Sequence, residues 1–148
     1  AALEAFQPVS QRFVQIKVGP YQVINDAYNA NPDSTIAALE TFRRIKTSGR
    51  RIFIMGDMLE LGQYAIQGHK RVGKAVAQAD IDRFYGVGTL TAYAIETAAQ
   101  AGLKAAYHFS TKTDLLAALK SDLKEGDTLL VKGSRGSRME EIIEGLSQ

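Results

Sequence analysis

A dense set of polar and aromatic side chains lies in residues 25–34, which read Asn-Asp-Ala-Tyr-Asn-Ala-Asn-Pro-Asp-Ser. An apolar run comes before this segment and an amphipathic run follows it, so the pattern predicts a strand, a loop and a helix. Asn31 can cap the helix through its side-chain oxygen. The loop holds three further groups that a plain turn does not need: Asp26, Tyr28 and Asn29. Because ligands of open α/β sheets bind at the carboxyl ends of strands, the loop is a candidate ligand site. A well-capped turn is the alternative.

Cations dominate a second segment, residues 132–138, which read Lys-Gly-Ser-Arg-Gly-Ser-Arg. Three cations and two hydroxyls fall between a predicted strand and a predicted helix, and two glycines let the backbone approach a ligand. This composition is typical of an anion site for a carboxylate or a phosphate. A solvated basic turn is the alternative. The anion site is favoured because Lys132 directly ends a buried strand instead of lying on an outer face.

A carboxylate follows another predicted strand, in residues 56–62, which read Gly-Asp-Met-Leu-Glu-Leu-Gly. Asp57 lies where acidic side chains often hold hydroxyls, amines or metals, but it could equally cap the following turn. Glu60 is expected to be exposed. His69 falls on the apolar stripe of the next predicted helix, so we interpret it as a buried structural histidine rather than a ligand-binding one.

Two nucleotide-binding motifs are rejected. Residues 68–75 nearly spell a P-loop, but Ala75 replaces the required Ser or Thr, no strand comes just before, and the periodicity is helical. No Gly-x-Gly-x-x-Gly fingerprint follows the first strands, which argues against a dinucleotide. No His/Asp/Glu cluster has metal-ligand spacing, and nothing resembles a Ser-His-Asp set. The chain therefore has parts of a binding site without a complete catalytic apparatus or a metal site.

Alternating strands and helices must position these loops. Gly19 and Pro20 form a turn between the first two strands, which predicts a hairpin. The predicted strands are residues 13–18, 21–26, 51–56, 83–88, 106–109 and 128–133. The first three predicted helices run from 32 to about 47, from after 62 to about 79, and from 91 to 101. A fourth helix is predicted from the capping-box spacing of Thr111 and Asp114, and a fifth from the same spacing of Ser137 and Glu140. This order predicts an α/β fold, a doubly wound, mostly parallel, Rossmann-like sheet with an N-terminal antiparallel hairpin. The three loops should open at one edge of that sheet.

The bulk properties are those of one ordinary globular domain. The chain has 148 residues, and its net charge of +2 is too small to indicate nucleic acid or a membrane as partner. It has no cysteine, which excludes disulfides and thiolate catalysis. No apolar run approaches the roughly 20 residues that a membrane span needs. The first residues lack an initiator Met and the features of a signal peptide, so we interpret the chain as a piece of a longer, cytoplasmic protein.

The three loops together resemble the carboxy-terminal domain of the Mur ligases. The matching segments are residues 26–34, residues 56–62 with His69 after them, and residues 130–135 with 139–141. Residues 3–9 look like the junction that leaves a central ATPase domain. The resemblance covers essentially the whole chain. It implies that residues 1–11 are a linker from an absent ATPase domain and that residues 12–148 are the Mur ligase carboxy-terminal domain.

This resemblance implies an ATP-dependent amide ligase. Family members activate the carboxylate of a UDP-muramoyl-peptide as an acyl phosphate, which an incoming amine attacks to give an amide, ADP and phosphate. The Tyr-Asn-Ala-Asn-Pro form of the first motif implies that D-alanyl-D-alanine brings the amine and UDP-muramoyl-tripeptide receives it, in peptidoglycan synthesis. ATP and Mg²⁺ would be used by the full-length enzyme. Its P-loop, metal ligands and nucleotide-sugar pocket would lie in the upstream N-terminal and central domains, so this piece alone would be inactive.

The resemblance also assigns roles to single residues. Asp26 would accept hydrogen bonds from the ribose hydroxyls of ATP, and the adenosine end would be lined by Tyr28, Asn29 and Asn31. The incoming dipeptide would meet Lys132, Ser134 and Arg135, because a cation can anchor its free carboxylate and orient its amine. Asp57 would attract the ammonium group or position the amine. A stand-alone nucleotide- or anion-binding module with a regulatory role is the alternative function.

Overall fold

The computed structural model describes residues 12–148, so the expected linker in residues 1–11 lies outside the described part. Six strands form one sheet: β1 Val14–Val18, β2 Tyr21–Asp26, β3 Arg51–Gly56, β4 Arg83–Val87, β5 Ala106–Phe109 and β6 Thr128–Lys132. Five α-helices occur in the described residues: α1 Pro32–Arg43, α2 Ala65–Ala77, α3 Thr91–Gln100, α4 Lys112–Asp122 and α5 Glu140–Leu146. Two short 3₁₀ turns, Gly62–Tyr64 and Arg135–Ser137, follow β3 and β6. No helix in this range is long and apolar enough to cross a bilayer.

The strand order is β1-β2-β6-β3-β4-β5, with β1 antiparallel to β2 and the other neighbouring pairs parallel. This confirms the predicted α/β fold with an antiparallel hairpin at its start. The register sets Asp26 beside Lys132, and Lys132 beside Met55. The carboxyl ends of β2, β6 and β3 are therefore level, and the loops that follow them open at the same edge.

The core has two layers, one on each face of the sheet. On the first face, Leu39 and Phe42 of α1 pack with residues of α2 and α3, and Phe53 points into this layer from β3. On the second face, Leu115 of α4 and Ile142 of α5 pack against the side chains of alternate strand residues. Because successive strand side chains point to opposite faces, β3 supplies both layers and reads as a continuous apolar run.

Helix α1 ends earlier than predicted, at Arg43 instead of about Thr47. The guanidinium of Arg51 donates to the carbonyl oxygen of Ile45 at 2.7 Å, which satisfies a group just past the helix end. The hydroxyl of Thr47 is hydrogen-bonded to that of Thr128 at 2.8 Å. These contacts with β3 and β6 stabilise a non-helical course, which outweighs the local helical pattern.

Two of the predicted caps are confirmed and one is wrong. The side-chain oxygen of Asn31 accepts from the backbone N of Ser34 at 2.8 Å, and Thr111 caps α4 in the same way. Ser137 does not cap α5. Its hydroxyl donates to the carbonyl oxygen of Asp57 at 2.7 Å, and the left-handed backbone of Arg138 (φ 53°) shifts the helix start to Glu140.

Candidate functional site

Three adjoining hollows lie along the carboxyl edge of the sheet. The first, about 400 Å³, is bounded by the loop after β2 and the start of α1. The second, about 300 Å³, shares Tyr28 and Asn29 with the first. The third, about 430 Å³, shares Leu59 and Gly136 with the second and extends over the ends of β4 and β5. Because neighbouring hollows share lining residues, the three predicted loops line one row of adjoining hollows, which is called the groove below.

A buried ion pair forms the floor of the first hollow. The ammonium of Lys132 lies 2.9 Å from Oδ2 of Asp26 and donates to the carbonyl oxygen of Asn29, also at 2.9 Å. The side chains are 3% and 13% exposed. A buried ammonium without partners would be costly, so these two acceptors explain why Lys132 can end a buried strand. Among residues 12–148, no group donates to the second oxygen, Oδ1, of Asp26.

The ring of Tyr28 joins two groups of residues that the sequence assigned to different ligands. The guanidinium carbon of Arg135 lies 5.1 Å from the ring centroid, and that of Arg12 lies 4.2 Å from it. Both distances are within cation–π range. Arg135 is exposed and lines the second hollow, whereas Arg12 lines the first. The predicted nucleoside and dipeptide residues are therefore in direct contact at Tyr28.

Arg12 was not predicted from the sequence to lie at the site. The residue belongs to no motif, but the hairpin could have revealed it. An antiparallel partner begins where β2 ends, and the register sets Val14 beside Asn25. A cation two positions before Val14 must then lie next to the loop after β2.

Ser134 ties the three loops together. Its hydroxyl accepts from the backbone N of Leu59 at 2.7 Å and donates to the carbonyl oxygen of Ala30 at 3.4 Å. Its own backbone N donates to the carbonyl oxygen of Asp57. The side chain is buried, and these bonds use the hydroxyl as both donor and acceptor. The structure thus gives Ser134 a role in fixing the groove, and a direct contact with substrate stays a prediction.

The side chain of Asp57 caps helix α3 and not the turn that directly follows Asp57 in the sequence. Its Oδ1 accepts from the backbone N of Leu90 at 3.0 Å and of Thr91 at 2.9 Å, at the start of α3. Helix α3 has no side-chain cap of its own, so the carboxylate compensates for that lack. A Cβ at Gly88, where φ is +117°, would overlap this carboxylate. Asp57 also lines the third hollow, so a ligand contact through the rest of its carboxylate stays a prediction.

His69 is buried, as predicted, and it holds the loop after β3. Its Nε2 accepts from the backbone N of Met58 at 3.0 Å, and its Nδ1 donates to the carbonyl oxygen of Ala65 at 2.7 Å. These partners fit the neutral ring with its proton on Nδ1. Burial lowers the pKa of His69, although the bond to Ala65 opposes this. The near-P-loop that contains His69 lies within α2, which confirms that it is not a phosphate loop.

The remaining predicted residues are all at the groove or near it. Asn29 and Asn31 line the first hollow, and Glu60 is exposed at the second. The side chain of Arg138 is 71% exposed and lies 3.9 Å from Glu141, away from the lining of all three hollows.

The third hollow has a wall that the sequence analysis also missed. Ser110, Lys112 and Thr113 line it from the end of β5 and the first turn of α4. Because β5 is parallel to β4, its carboxyl end must open at the same edge, and that rule could have found them. Within residues 12–148, no group of three or more His, Cys, Asp and Glu side chains is arranged to hold a metal.

Comparison with known proteins gives consistent matches. The family model described as Mur ligase, glutamate ligase domain, matches residues 11–135. A UDP-N-acetylmuramoyl-tripeptide–D-alanyl-D-alanine ligase of Bacillus subtilis (strain 168) is 39% identical over 125 residues, covering 84% of this chain and 27% of that protein. The Escherichia coli (strain K12) protein of the same name is 37% identical over 151 residues, covering 100% of this chain and 32% of its own length.

A solved structure gives the same picture for the fold. The crystal structure of MurF ligase from Thermotoga maritima in complex with ADP superposes with a TM-score of 0.77 at 22% identity, covering 93% of this chain and 30% of that chain. The chain spans about a third of the length of the curated relatives that it matches.

Proposed function

The chain belongs to the Mur ligase family, and on that premise we propose that it is the carboxy-terminal domain of an ATP-dependent ligase that adds D-alanyl-D-alanine to UDP-N-acetylmuramoyl-tripeptide in peptidoglycan synthesis. The names of the Bacillus and Escherichia relatives support this assignment. The observation that carries it is the groove of three adjoining hollows at the carboxyl edge, where the three motif loops lie together.

The first hollow suits the nucleoside end of ATP. Oδ1 of Asp26, to which no group of residues 12–148 donates, is available to accept from ribose hydroxyls, while the bond from Lys132 to Oδ2 orients the carboxylate. The ring of Tyr28 offers an apolar face, and amide side chains come from Asn29 and Asn31. The presence of ADP in the Thermotoga structure supports a nucleotide role for this fold.

The incoming dipeptide belongs in this proposal to the rest of the groove. Asp57 lines it with a carboxylate that can bind the ammonium of the dipeptide, and Arg135 lines the neighbouring hollow, where it can contact the rest of the substrate. Lys132 and Ser134 contribute by holding the loops that carry them. Positioning of this kind turns a bimolecular attack into an oriented one.

The chemistry itself is proposed to occur on groups outside this chain. A carboxylate oxygen of the tripeptide attacks the γ-phosphorus of ATP and releases ADP, and the dipeptide nitrogen then displaces phosphate to form the amide. The ligands of Mg²⁺, like the P-loop, are assigned in this proposal to upstream domains. A ligase that consumes ATP and a UDP-linked substrate would work in the cytoplasm.

The test uses the full-length enzyme and the Asp26→Ala variant. We expect the KM for ATP to rise at least tenfold, while the KM for D-alanyl-D-alanine changes less than twofold. Asp33→Ala removes an exposed carboxylate from the first turn of α1 and serves as the control. An unchanged KM for ATP in Asp26→Ala would show that the nucleoside does not bind in the first hollow.

The alternative, a stand-alone nucleotide-binding module, predicts a different result for the 148-residue chain alone. Calorimetric titration with ATP should then show tight binding. The ligase proposal predicts weak binding at best and no ATP hydrolysis, because the phosphate-binding part is absent from this chain.

A further inference from the structure

We propose that the third hollow is where the incoming dipeptide binds and that Lys112 binds its terminal carboxylate. The inference rests on the ligase function proposed above and adds a specificity-determining residue to it. The family resemblance gives the carboxylate to Arg135, but the guanidinium of Arg135 lies over Tyr28 and lines the second hollow instead.

The charges that line the third hollow are complementary to the two charges of a small zwitterion. Asp57 is the one carboxylate and Lys112 the one cation among its lining residues. Oδ1 of Asp57 is used by two backbone amides of α3, and no residue within 12–148 donates to its Oδ2. An ammonium group can therefore bind Oδ2 without displacing the helix cap. Leu59, Val87 and Met139 give the hollow an apolar part that suits methyl side chains, and its other lining residues include the hydroxyl side chains Ser110, Thr113 and Ser137.

The two charges reach the third hollow from different loops. Asp57 follows β3 and Lys112 follows β5, and β4 lies between these strands. The two ends of one extended zwitterion can therefore be bound by two separate loops of the carboxyl edge.

Lys112 is held at the rim by a bond that a substrate can replace. Its ammonium lies 2.9 Å from Oε1 of Glu141, and the two side chains are 29% and 45% exposed. An ion pair this exposed contributes little to stability. A carboxylate bound in the hollow can take the place of Glu141 at the ammonium, and Glu141 then returns to water.

The experiment compares two amine substrates in the full-length enzyme: D-alanyl-D-alanine and its C-terminal carboxamide. For the wild type, we expect kcat/KM to be at least tenfold higher with the carboxylate. In Lys112→Met that ratio should fall to within twofold of one, while the KM for ATP stays unchanged. Lys120→Met removes an exposed cation from the same helix and should keep the wild-type ratio.

Each outcome is distinct. If wild-type enzyme forms no amide with D-alanyl-D-alanine, both the function and this inference are overturned. If it does, and Lys112→Met keeps the wild-type ratio, only the inference is overturned, because a purely structural lysine would slow both substrates equally. If Arg135→Ala abolishes the ratio and Lys112→Met does not, the carboxylate binds in the second hollow and the inference is wrong.

Discussion

The two edges of the sheet use charged side chains in opposite ways. At the amino-terminal edge, the guanidinium of Arg50 bonds both carboxylate oxygens of Asp127, at 3.1 and 2.7 Å. The same oxygens accept from the backbone N of Arg50 and of Lys124, and the Asp127 side chain is 1% exposed. At the carboxyl edge, Asp26 and Asp57 each use one oxygen within the described residues and turn toward a hollow.

This difference separates stability from function. A carboxylate with all its acceptor positions filled by its own chain stabilises the fold and offers nothing to a ligand. A carboxylate that is half satisfied is oriented by the fold and keeps one acceptor for a donor from outside. Substitutions at the two edges should therefore have different consequences, and the following predictions test this in order of decreasing expected effect.

Asp127→Ala should have the largest effect on stability. It leaves a partly buried guanidinium and two backbone amides without their acceptor, so we expect the free energy of unfolding to fall by about 3 kcal/mol. Urea denaturation measures the change. Glu40→Ala removes a carboxylate of α1 that is 51% exposed and pairs with Arg43, and it should cost less than about 0.5 kcal/mol. Equal effects of the two substitutions would contradict the stabilising role of Asp127.

Ser134→Ala should cost about 1 to 2 kcal/mol, because the backbone N of Leu59 loses its acceptor. Unlike Asp127→Ala, it should also impair ligation by the full-length enzyme, since the loops around the second hollow lose a common anchor. Kinetics with both substrates and a urea titration of the same variant measure the two effects. Ser121→Ala, at an exposed position of α4, is the control. Normal ligation by a destabilised Ser134→Ala would show that the groove does not depend on this bond.

The pH dependence of His69 should be the smallest of the three effects. Below pH 6.5 the unfolded chain protonates this side chain, whereas the folded protein, with its lowered pKa, keeps it neutral. Stability from His69 is thus complete above pH 6.5, decreases as the pH falls, and levels off below the folded pKa. The slope cannot exceed about 1.4 kcal/mol per pH unit for one proton.

Melting temperatures of the wild type and of His69→Gln between pH 7.5 and 5.5 measure the contribution of this residue. The substitution should lower the melting temperature at pH 7.5. The melting temperature of the variant should then fall less than that of the wild type as the pH decreases to 5.5. His108→Gln is the matched control, because it removes the other histidine of the chain. If the melting temperature of His69→Gln falls with pH as much as that of the wild type, the pH dependence comes from other groups.

The fold could be predicted from the sequence because its patterns are local. Alternation and short apolar runs gave the strands, and the parallel order then required the three loops to share an edge. His69 was predicted to be buried from the helical stripe alone. The early end of α1 could not be predicted in this way, because its cause is a guanidinium from β3 that binds the carbonyl oxygen of Ile45.

The site was predicted less completely, for a related reason. Spacing identifies which residues are near one loop, but it does not give the partner of each side chain. Lys132 meets Asp26 across 106 positions of the sequence, and Ser134 meets Leu59 across 75. The cap predicted from the spacing at Ser137 was wrong because the hydroxyl of Ser137 donates instead to the carbonyl oxygen of Asp57, on another loop. Only the sheet register brings these residues together.

The hairpin has one more consequence for the proposed ligase. Since β1 runs against β2, Arg12 lies at the mouth of the first hollow rather than at the far side of the sheet. In the proposed ligase, an upstream domain joined on this side would be tethered beside the surface that it has to meet. A short flexible tether would give the two partners an effective concentration in roughly the millimolar range, so that even a weak contact between them could recur at every turnover.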